Sequence, residues 1–300
     1  MKRNQLKLFA LTLATGYFLA ACSGGSQEKS NTADEEFAAA KQQMAAAVKQ
    51  VLADIPPPSE VPLLLMQTGA DFDQSLINTI SGEGMAKYQK SDAKAALNLG
   101  VYATDIGYLI SYGESESALD YMGECQKLAA PVGVAEAIDY GMIQKFEANL
   151  ENTDSLASII DQIMDLSGER LSQLDEMNSA ALLLAGSWVE GIYLSTQIVD
   201  KYPDDLPEEA RTLILEPLVR IVIDQKTSLA TLLEAMDQVS DDAEVAQMAV
   251  ELQKIQAIYE DELADVETSI AENTGDYVLL PSTLNSLAMA VATLRTSIIE

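Results

Sequence analysis

Two acidic residues stand out in this sequence as side chains whose positions could support chemistry. Asp105 is the one charged residue between positions 95 and 113, and Glu190 is the one charged residue between positions 179 and 199. A pair of carboxyl groups can act as general acid and base on a glycosidic bond. That chemistry needs no histidine, and the sequence contains none. Ser-His-Asp triads and imidazole-ligated zinc sites are therefore excluded.

A buried carboxylate is costly unless it is paired or hydrogen-bonded, so both acids require an explanation. Three interpretations are open: a structural network of tyrosine hydroxyls or backbone amides, a cleft for a cationic or hydroxyl-rich ligand, and a catalytic carboxylate pair. We favour the structural network and leave the catalytic residues unassigned. The candidate central site consists of Asp105, Glu190, Tyr102, Tyr108, Trp188 and Tyr193.

The remaining charge is acidic and does not predict a metal site. Acidic clusters occur at residues 204–209, 241–244 and 260–265, but none has the spacing of a calcium-binding loop. We therefore predict no metal and no cofactor. The chain has 47 acidic and 18 basic residues and a net charge of −29. Because this charge repels phosphate backbones, nucleic acid is not an expected partner.

The elements that must position the two acids are predicted to be helices. Between clusters of glycine and proline the chain favours strong helix formers, with apolar residues three and four apart. The pattern predicts an all-α fold, either a multi-helix bundle or a helical-repeat-like body. Helices are expected near residues 34–54, 72–80, 92–112, 115–130, 134–150, 155–166, 169–199, 207–222, 227–239, 242–268 and 282–299. Since a helix without charge on any face is usually buried, the helices that contain the nearly uncharged runs 95–113 and 179–199 should form the centre.

The two uncharged helices also resemble each other. Gly100, Tyr102, Asp105 and Tyr108 follow the same order as Gly186, Trp188, Glu190 and Tyr193 once a gap is allowed. This order hints at an internal duplication with units at about residues 86–175 and 176–262. Small residues at positions 100, 104, 107 and 111 form one stripe, which would allow another helix to approach closely.

The N-terminus has the features of a secretion signal. Lys2, Arg3 and Lys7 precede an apolar run that ends in Leu19-Ala20-Ala21-Cys22. This pattern resembles a bacterial lipoprotein signal, which implies removal of residues 1–21 and attachment of lipid to Cys22. Residues 22–33 would then be a flexible tether, and residues 34–300 a single helical body. Cys125 is expected to be a small buried apolar residue.

Two further resemblances concern the body. The stretch that contains Gly107, Gly113, Tyr121 and Pro131 looks like a helical hairpin of the tetratricopeptide type, although no run of 34-residue repeats accompanies it. A broader resemblance to a group of all-helical lipoproteins of Bacteroidota is carried by residues 55–60, 95–108, 149–156 and 186–193. This resemblance implies a helical fold and a location in the cell envelope, and it implies no activity.

Together these features predict a protein held in the membrane through its N-terminal lipid. We expect an outer-membrane lipoprotein that faces the periplasm, because the residues after Cys22 lack the acidic run that directs some lipoproteins to the cell surface. Its expected role is non-catalytic interaction with an envelope protein or binding of a small ligand. The alternative is an all-helical hydrolase of glycan or peptidoglycan that uses Asp105 and Glu190.

Overall fold

The computed structural model describes residues 55–174, 176–202, 205, 207–272 and 281–300. The predicted lipid-attachment residue Cys22, the tether and the predicted helix at 34–54 lie outside the described residues. The described residues form eleven α-helices and two 3-10 turns and contain no β-strand, so the all-α prediction is confirmed. The helices are α1 (Glu60–Gln67), α2 (Gly82–Tyr88), α3 (Asp92–Ser111), α4 (Ser115–Val132), α5 (Tyr140–Glu147), α6 (Thr153–Leu174), α7 (Met177–Asp200), α8 (Glu208–Asp237), α9 (Ala243–Asp261), α10 (Ala264–Glu272) and α11 (Asn285–Ile299). The 3-10 turns are Gln74–Leu76 and Pro281–Leu284.

The two uncharged helices, α3 and α7, lie at the centre of the described body. Fifteen of the 20 residues of α3 and 19 of the 24 residues of α7 are buried, which confirms the expectation drawn from their lack of charge. Their mutual contact is the most extensive between any two described helices. Helix α4 packs against α3, while α8 and α11 pack against α7. This arrangement places the middle of both central helices away from solvent.

Helix α3 begins and ends at residues that suit helix termini. The side chain of Ser91 accepts a hydrogen bond from the backbone N–H of Lys94, which satisfies one of the free amides of the first turn. After the helix, Gly113 has a φ of +81°, a left-handed conformation that glycine adopts at little cost. Helix α4 begins two residues later, so only a tight turn separates α3 from α4.

The stripe of small residues on α3 allows two close approaches. A Cβ atom at Gly100 would lie 1.9 Å from the backbone oxygen of Leu183, and one at Gly186 would lie 2.0 Å from the backbone oxygen of Leu97. Glycine on each helix therefore lets the two backbones touch. A Cβ at Gly107 would lie 2.7 Å from the backbone oxygen of Pro58. Towards the C-terminal end of α3, the stripe therefore contacts the segment before α1 instead of α7.

Thr104 and Ser187 lie beside the glycine contacts and join the two helices with a hydrogen bond. Their hydroxyl oxygens are 2.9 Å apart, and the Thr104 hydroxyl also lies 3.2 Å from the backbone oxygen of Ser187. Both side chains are buried, so this pair satisfies polar groups that would otherwise have no partner.

Helix α7 is the one described helix that is long and apolar enough to cross a membrane by length and composition. However, 83% of its apolar window is buried inside the protein. Burial to this extent is typical of the core helix of a folded body. The sequence interpretation that placed this segment in the protein interior agrees with this packing.

Several predicted helix boundaries are wrong. Helices α1 and α2 are not predicted. For α2, the glycines at positions 82 and 84 suggest the end of a helix rather than its start. In the structure Ser81 caps α2 by accepting a hydrogen bond from Gly84 N–H. Helix α6 continues through Gly168, and α8 is one helix where two were predicted. A mid-helix glycine costs only about 1 kcal/mol, which packing can offset. Conversely, the predicted helix at 242–268 is divided into α9 and α10.

Candidate functional site

Asp105 and Glu190 lie near the middle of α3 and α7, and neither side chain has any exposed surface. The sequence places each acid in an uncharged helix, and the packing of those helices brings the two carboxyl groups together. They are close enough for the charge of Glu190 to raise the pKa of Asp105. The structure therefore unites the two residues that the sequence singles out.

The charge of Glu190 is matched by Arg295, which comes from α11. The guanidinium group donates two hydrogen bonds to the carboxylate, from Nε to Oε2 at 2.6 Å and from Nη2 to Oε1 at 2.8 Å. The Nη2 atom also donates to the backbone oxygen of Leu76 at 3.1 Å. This two-point geometry is the strong form of an arginine–carboxylate pair. It fixes the register of α11 against α7.

The Tyr193 ring completes the surroundings of Arg295. The guanidinium carbon lies 4.1 Å from the centre of the ring, within the range of a cation–π contact. Burial alone would lower the pKa of the guanidinium, but the charge and hydrogen bonds of Glu190 outweigh burial and raise it. Arg295 is therefore permanently charged in the folded protein.

Asp105 differs from Glu190 because it has no cation of its own. Its Oδ2 accepts a hydrogen bond of 3.0 Å from the backbone N–H of Asn78, and no donor lies within hydrogen-bond distance of its Oδ1. Burial raises the pKa of Asp105 well above its ordinary value, and the neighbouring charge of Glu190 raises it further. Burial and the neighbouring negative charge therefore both favour the neutral form of the Asp105 carboxyl group.

The ion pair of Glu190 and Arg295 has no net charge, and Asp105 lies beside it. We call these three side chains the central trio. A buried ion pair is tolerated when its partners satisfy each other's hydrogen bonds, and Glu190 and Arg295 do so through two mutual bonds. Arg295, together with the backbone at Leu76 and Asn78, is absent from the set predicted from the sequence.

Hydrogen bonds at the C-terminal end of α11 hold the helix where Arg295 reaches the centre. Near the C-terminus, Tyr88 donates a hydrogen bond of 2.8 Å to the backbone oxygen of Ile299, and the Asn98 side chain donates one of 3.0 Å to that of Ile298. These bonds attach α11 to α2 and α3. Arg295 lies one turn earlier, where only 9% of its side chain is exposed.

The tyrosines predicted for this site lie around the trio but do not hydrogen-bond to it. Tyr102 is fully buried, with edge contacts to Tyr88 and Tyr121 at ring distances of 6.3 and 5.7 Å, and its hydroxyl has no partner among the described residues. The hydroxyl of Tyr108 accepts a bond of 2.9 Å from the backbone N–H of Asp73, which holds the segment after α1. Tyr193 contributes its ring, as described above.

Trp188 lies on α7 with 5% of its surface exposed. It borders a cavity of about 20 Å³, also lined by Thr104 and Gln225, which is large enough for one water molecule. Of the six residues of the candidate central site, the structure therefore joins Asp105, Glu190 and Tyr193 directly and leaves the other three at its margin. Whether any of the six binds a ligand stays a prediction.

The geometry of the carboxyl pair is unlike that of a glycoside hydrolase. The two carboxyl groups of such enzymes lie about 5 to 9.5 Å apart and flank the bond that is cleaved. Here neither carboxyl group has exposed surface with which to flank a substrate, and Glu190 is held by two bonds from Arg295. The arrangement is suited to joining three helices. Within the part of the chain that the structure describes, no cluster of three potential metal-ligating residues occurs.

Comparison with known proteins adds no further assignment to this site. No protein family, curated protein or solved structure matches the chain.

Proposed function

We propose that this protein is a lipid-anchored protein of the bacterial cell envelope whose helical body acts as a non-catalytic interaction module. The central trio is the observation that supports a non-catalytic role. Asp105 and Glu190 have no exposed surface, and their hydrogen bonds are used by Arg295 and the backbone of the same body. Side chains committed in this way hold helices together and are not presented to a substrate.

The anchor is proposed from the sequence and fits the distribution of cysteines. The chain has two, and Cys125 is buried on α4, where desolvation raises the pKa of its thiol. A buried neutral thiol is a poor acceptor for lipid. This leaves Cys22, at the end of the apolar run, as the residue for the thioether. We place the body on the periplasmic side of the outer membrane.

The interaction role is supported by the surface of the described body. Four large apolar side chains have more than half of their surface exposed: Tyr140, Leu213, Val250 and Met289. The chain has 47 acidic and 18 basic residues, and its net charge of −29 disfavours contact with anionic lipid. A partner protein in the envelope could cover such side chains, and no enzymatic turnover is needed for this role.

The anchor is tested by metabolic labelling with a palmitate analogue. We expect label in the wild type and in Cys125→Ser, and no label in Cys22→Ser, which should remain unprocessed or become soluble. Cys125→Ser is the matched control, because it removes the other thiol by the same substitution. Equal labelling of the wild type and Cys22→Ser would refute the anchor.

The interaction role is tested in intact cells with a photo-crosslinking amino acid at the four exposed apolar positions, with Glu151 as an exposed polar control. A discrete protein adduct is expected at one or more apolar positions, and it should be lost when Cys22 is replaced. Absence of adducts at all four positions would contradict the proposal. So would hydrolysis of peptidoglycan or glycan by the purified protein, if it disappeared in both Asp105→Asn and Glu190→Gln.

A further inference from the structure

The cavity of about 20 Å³ that Trp188 borders is lined by four parts of the described body. Thr104 lies on α3, Trp188 and Ser187 on α7, Gln225 on α8, and the fourth part is the proline segment at residues 56–58. We propose that this cavity binds one ordered water molecule, which hydrogen-bonds to Trp188, Gln225 and the Thr104–Ser187 pair. The site is internal, and it depends neither on the lipid anchor nor on the interaction role.

The first support is a buried donor without a partner. Trp188 is 5% exposed, and no described residue accepts a hydrogen bond from its indole Nε1 atom. An indole N–H can only donate, so this group needs an acceptor. A polar group left unpaired in a protein interior is destabilising, and a buried tryptophan therefore usually finds a partner. Because Trp188 lines the cavity, a molecule held there can supply the accepting oxygen.

The second support is a buried amide on the neighbouring helix α8. Gln225 is 6% exposed and lines the same cavity. No hydrogen bond connects its side chain to another described residue. The amide oxygen can accept a hydrogen bond from a water molecule that itself accepts one from Trp188. Two polar groups of complementary type therefore border one small space.

The third support is the hydroxyl pair that joins α3 to α7. The hydroxyl oxygens of Thr104 and Ser187 are 2.9 Å apart, and both residues line the cavity. Each hydroxyl oxygen has two lone pairs, and the bond between the two hydroxyls uses one lone pair of one oxygen. An acceptor therefore remains for the second proton of the water. With three hydrogen bonds, the site offers the number of partners that is typical of buried water.

The size of the cavity selects its ligand. A single water molecule needs roughly 10–15 Å³ of such space, so about 20 Å³ accommodates one water and excludes larger solutes. The lining also includes the apolar side chains of Val61 and Ile192. The bound water would connect α3, α7 and α8 through one hydrogen-bonded group. A bridge of this kind is enthalpically nearly as favourable as a direct hydrogen bond.

NMR spectroscopy of the detergent-solubilised mature protein tests the site. Trp188 is the one tryptophan of the chain, so its indole N–H gives a single signal. A water molecule held beside this group should produce a rotating-frame Overhauser peak between the indole proton and water. Such a peak differs in sign from one caused by exchange of the indole proton with solvent, so the two effects can be distinguished.

Gly191→Ala should displace the water without removing any of its partners. Gly191 lines the cavity, and the three atoms nearest to an added Cβ belong to Val61, another lining residue, at 3.7–3.8 Å. The methyl group is therefore accommodated without a clash, and the water peak should fall at least fivefold. Gly123→Ala is the matched control, because a Cβ at Gly123 on α4 meets no described atom within 4 Å. It should leave the peak unchanged.

A second variant removes one of the hydrogen-bonding partners. Gln225→Met keeps the length of the side chain but replaces the amide by a thioether, which is only a weak acceptor. The water peak should fall at least twofold. Gln253→Met, at an exposed glutamine on α9, is its control and should have no effect. If Gly191→Ala fails to fold by circular dichroism, Gln225→Met carries the test.

Absence of the water peak in the wild type would overturn the proposal, since no water would then lie beside the indole N–H. An unchanged peak in a folded Gly191→Ala or Gln225→Met protein would also overturn it. The water responsible for the peak would then lie outside this cavity or would not depend on Gln225.

Discussion

Replacing Gly186 by alanine should separate the two central helices. The added Cβ would lie 2.0 Å from the backbone oxygen of Leu97 and 2.8 Å from its carbonyl carbon. Non-bonded carbon and oxygen atoms pack at 3 Å or more, so the helices must move apart by about 1 Å. No flexible side chain can yield here, because the obstructing atoms are backbone.

The expected cost follows from three contributions. Overpacking of a core costs about 1–3 kcal/mol, and the upper end applies when backbone must move. The hydrogen bond between Thr104 and Ser187 lies one residue away, and its loss would cost about 1 kcal/mol. Alanine has a higher helix propensity than glycine, which offsets about 1 kcal/mol of this loss. We therefore expect Gly186→Ala to lower the free energy of unfolding by about 3 kcal/mol, and Gly100→Ala to have a similar effect.

Urea denaturation followed by far-ultraviolet circular dichroism measures this loss. Gly123→Ala is the matched control, because a Cβ at Gly123 meets no described atom within 4 Å. It should stabilise the protein by up to about 1 kcal/mol through helix propensity alone. A loss of less than 1 kcal/mol in both Gly186→Ala and Gly100→Ala would refute the claim that backbone contact between α3 and α7 requires glycine.

Three further predictions concern titratable groups. Because the Cys125 thiol is buried and its pKa is raised by desolvation, a thiol reagent should label Cys125 in the Cys22→Ser protein only after unfolding, and labelling of the native protein within minutes would contradict this. The hydrogen bond from Lys201 lowers the pKa of Asp73 to about 2, so the stabilising effect of this ion pair should persist above pH 4 and disappear as pH falls towards 2. Lys201→Met should return the pKa of Asp73, measured by NMR, towards 3.8. An unchanged pKa would refute the pairing. The pKa of Asp105 is raised in the folded state, so its contribution to the free energy of unfolding is fully present below about pH 4 and falls by up to about 1.4 kcal/mol per pH unit above that value. The difference in unfolding free energy between wild type and Asp105→Asn should therefore change with pH. A difference independent of pH would count against the raised pKa.

The sequence was sufficient to predict the fold class and the two central helices. Absence of charge over about 20 residues is a strong signal, because only a buried helix tolerates apolar surface on every side. The burial of Asp105 and Glu190 followed from the same argument. Helix boundaries were less predictable, since the cost of Gly168 in α6 is small compared with the packing of the whole helix.

The member of the trio that the sequence interpretation missed is Arg295. It is the one charged residue between positions 278 and 299, so the criterion that identified Asp105 and Glu190 also applies to it. A lone base in an apolar helix is the expected partner of a lone buried acid. The bonds from Leu76 and Asn78 could not be found in this way, because backbone groups of irregular segments carry no sequence signal.

The notion that tyrosine hydroxyls satisfy the acids was wrong for the described contacts. Tyr108 accepts its bond from the backbone of Asp73, and Tyr193 presents its ring to Arg295. Both tyrosines are close to the centre because their helices are. A helix sequence shows which face a side chain occupies, but it does not show which atom of a neighbouring element the side chain will meet.

The most direct test of the central claim, that the buried acids hold the fold, is the free energy of unfolding of Glu190→Gln and Asp105→Asn at pH 7. Glu190→Gln leaves the guanidinium group of Arg295 buried without an anion and should cost about 3–5 kcal/mol. Asp105→Asn should cost less than about 1 kcal/mol, because the uncharged amide can accept the bond from Asn78 N–H as the carboxyl group does. Adding Arg295→Met to Glu190→Gln should recover most of the loss. Equal or greater stability of Glu190→Gln would contradict the account, since it would mean that the charge is held at the expense of folding.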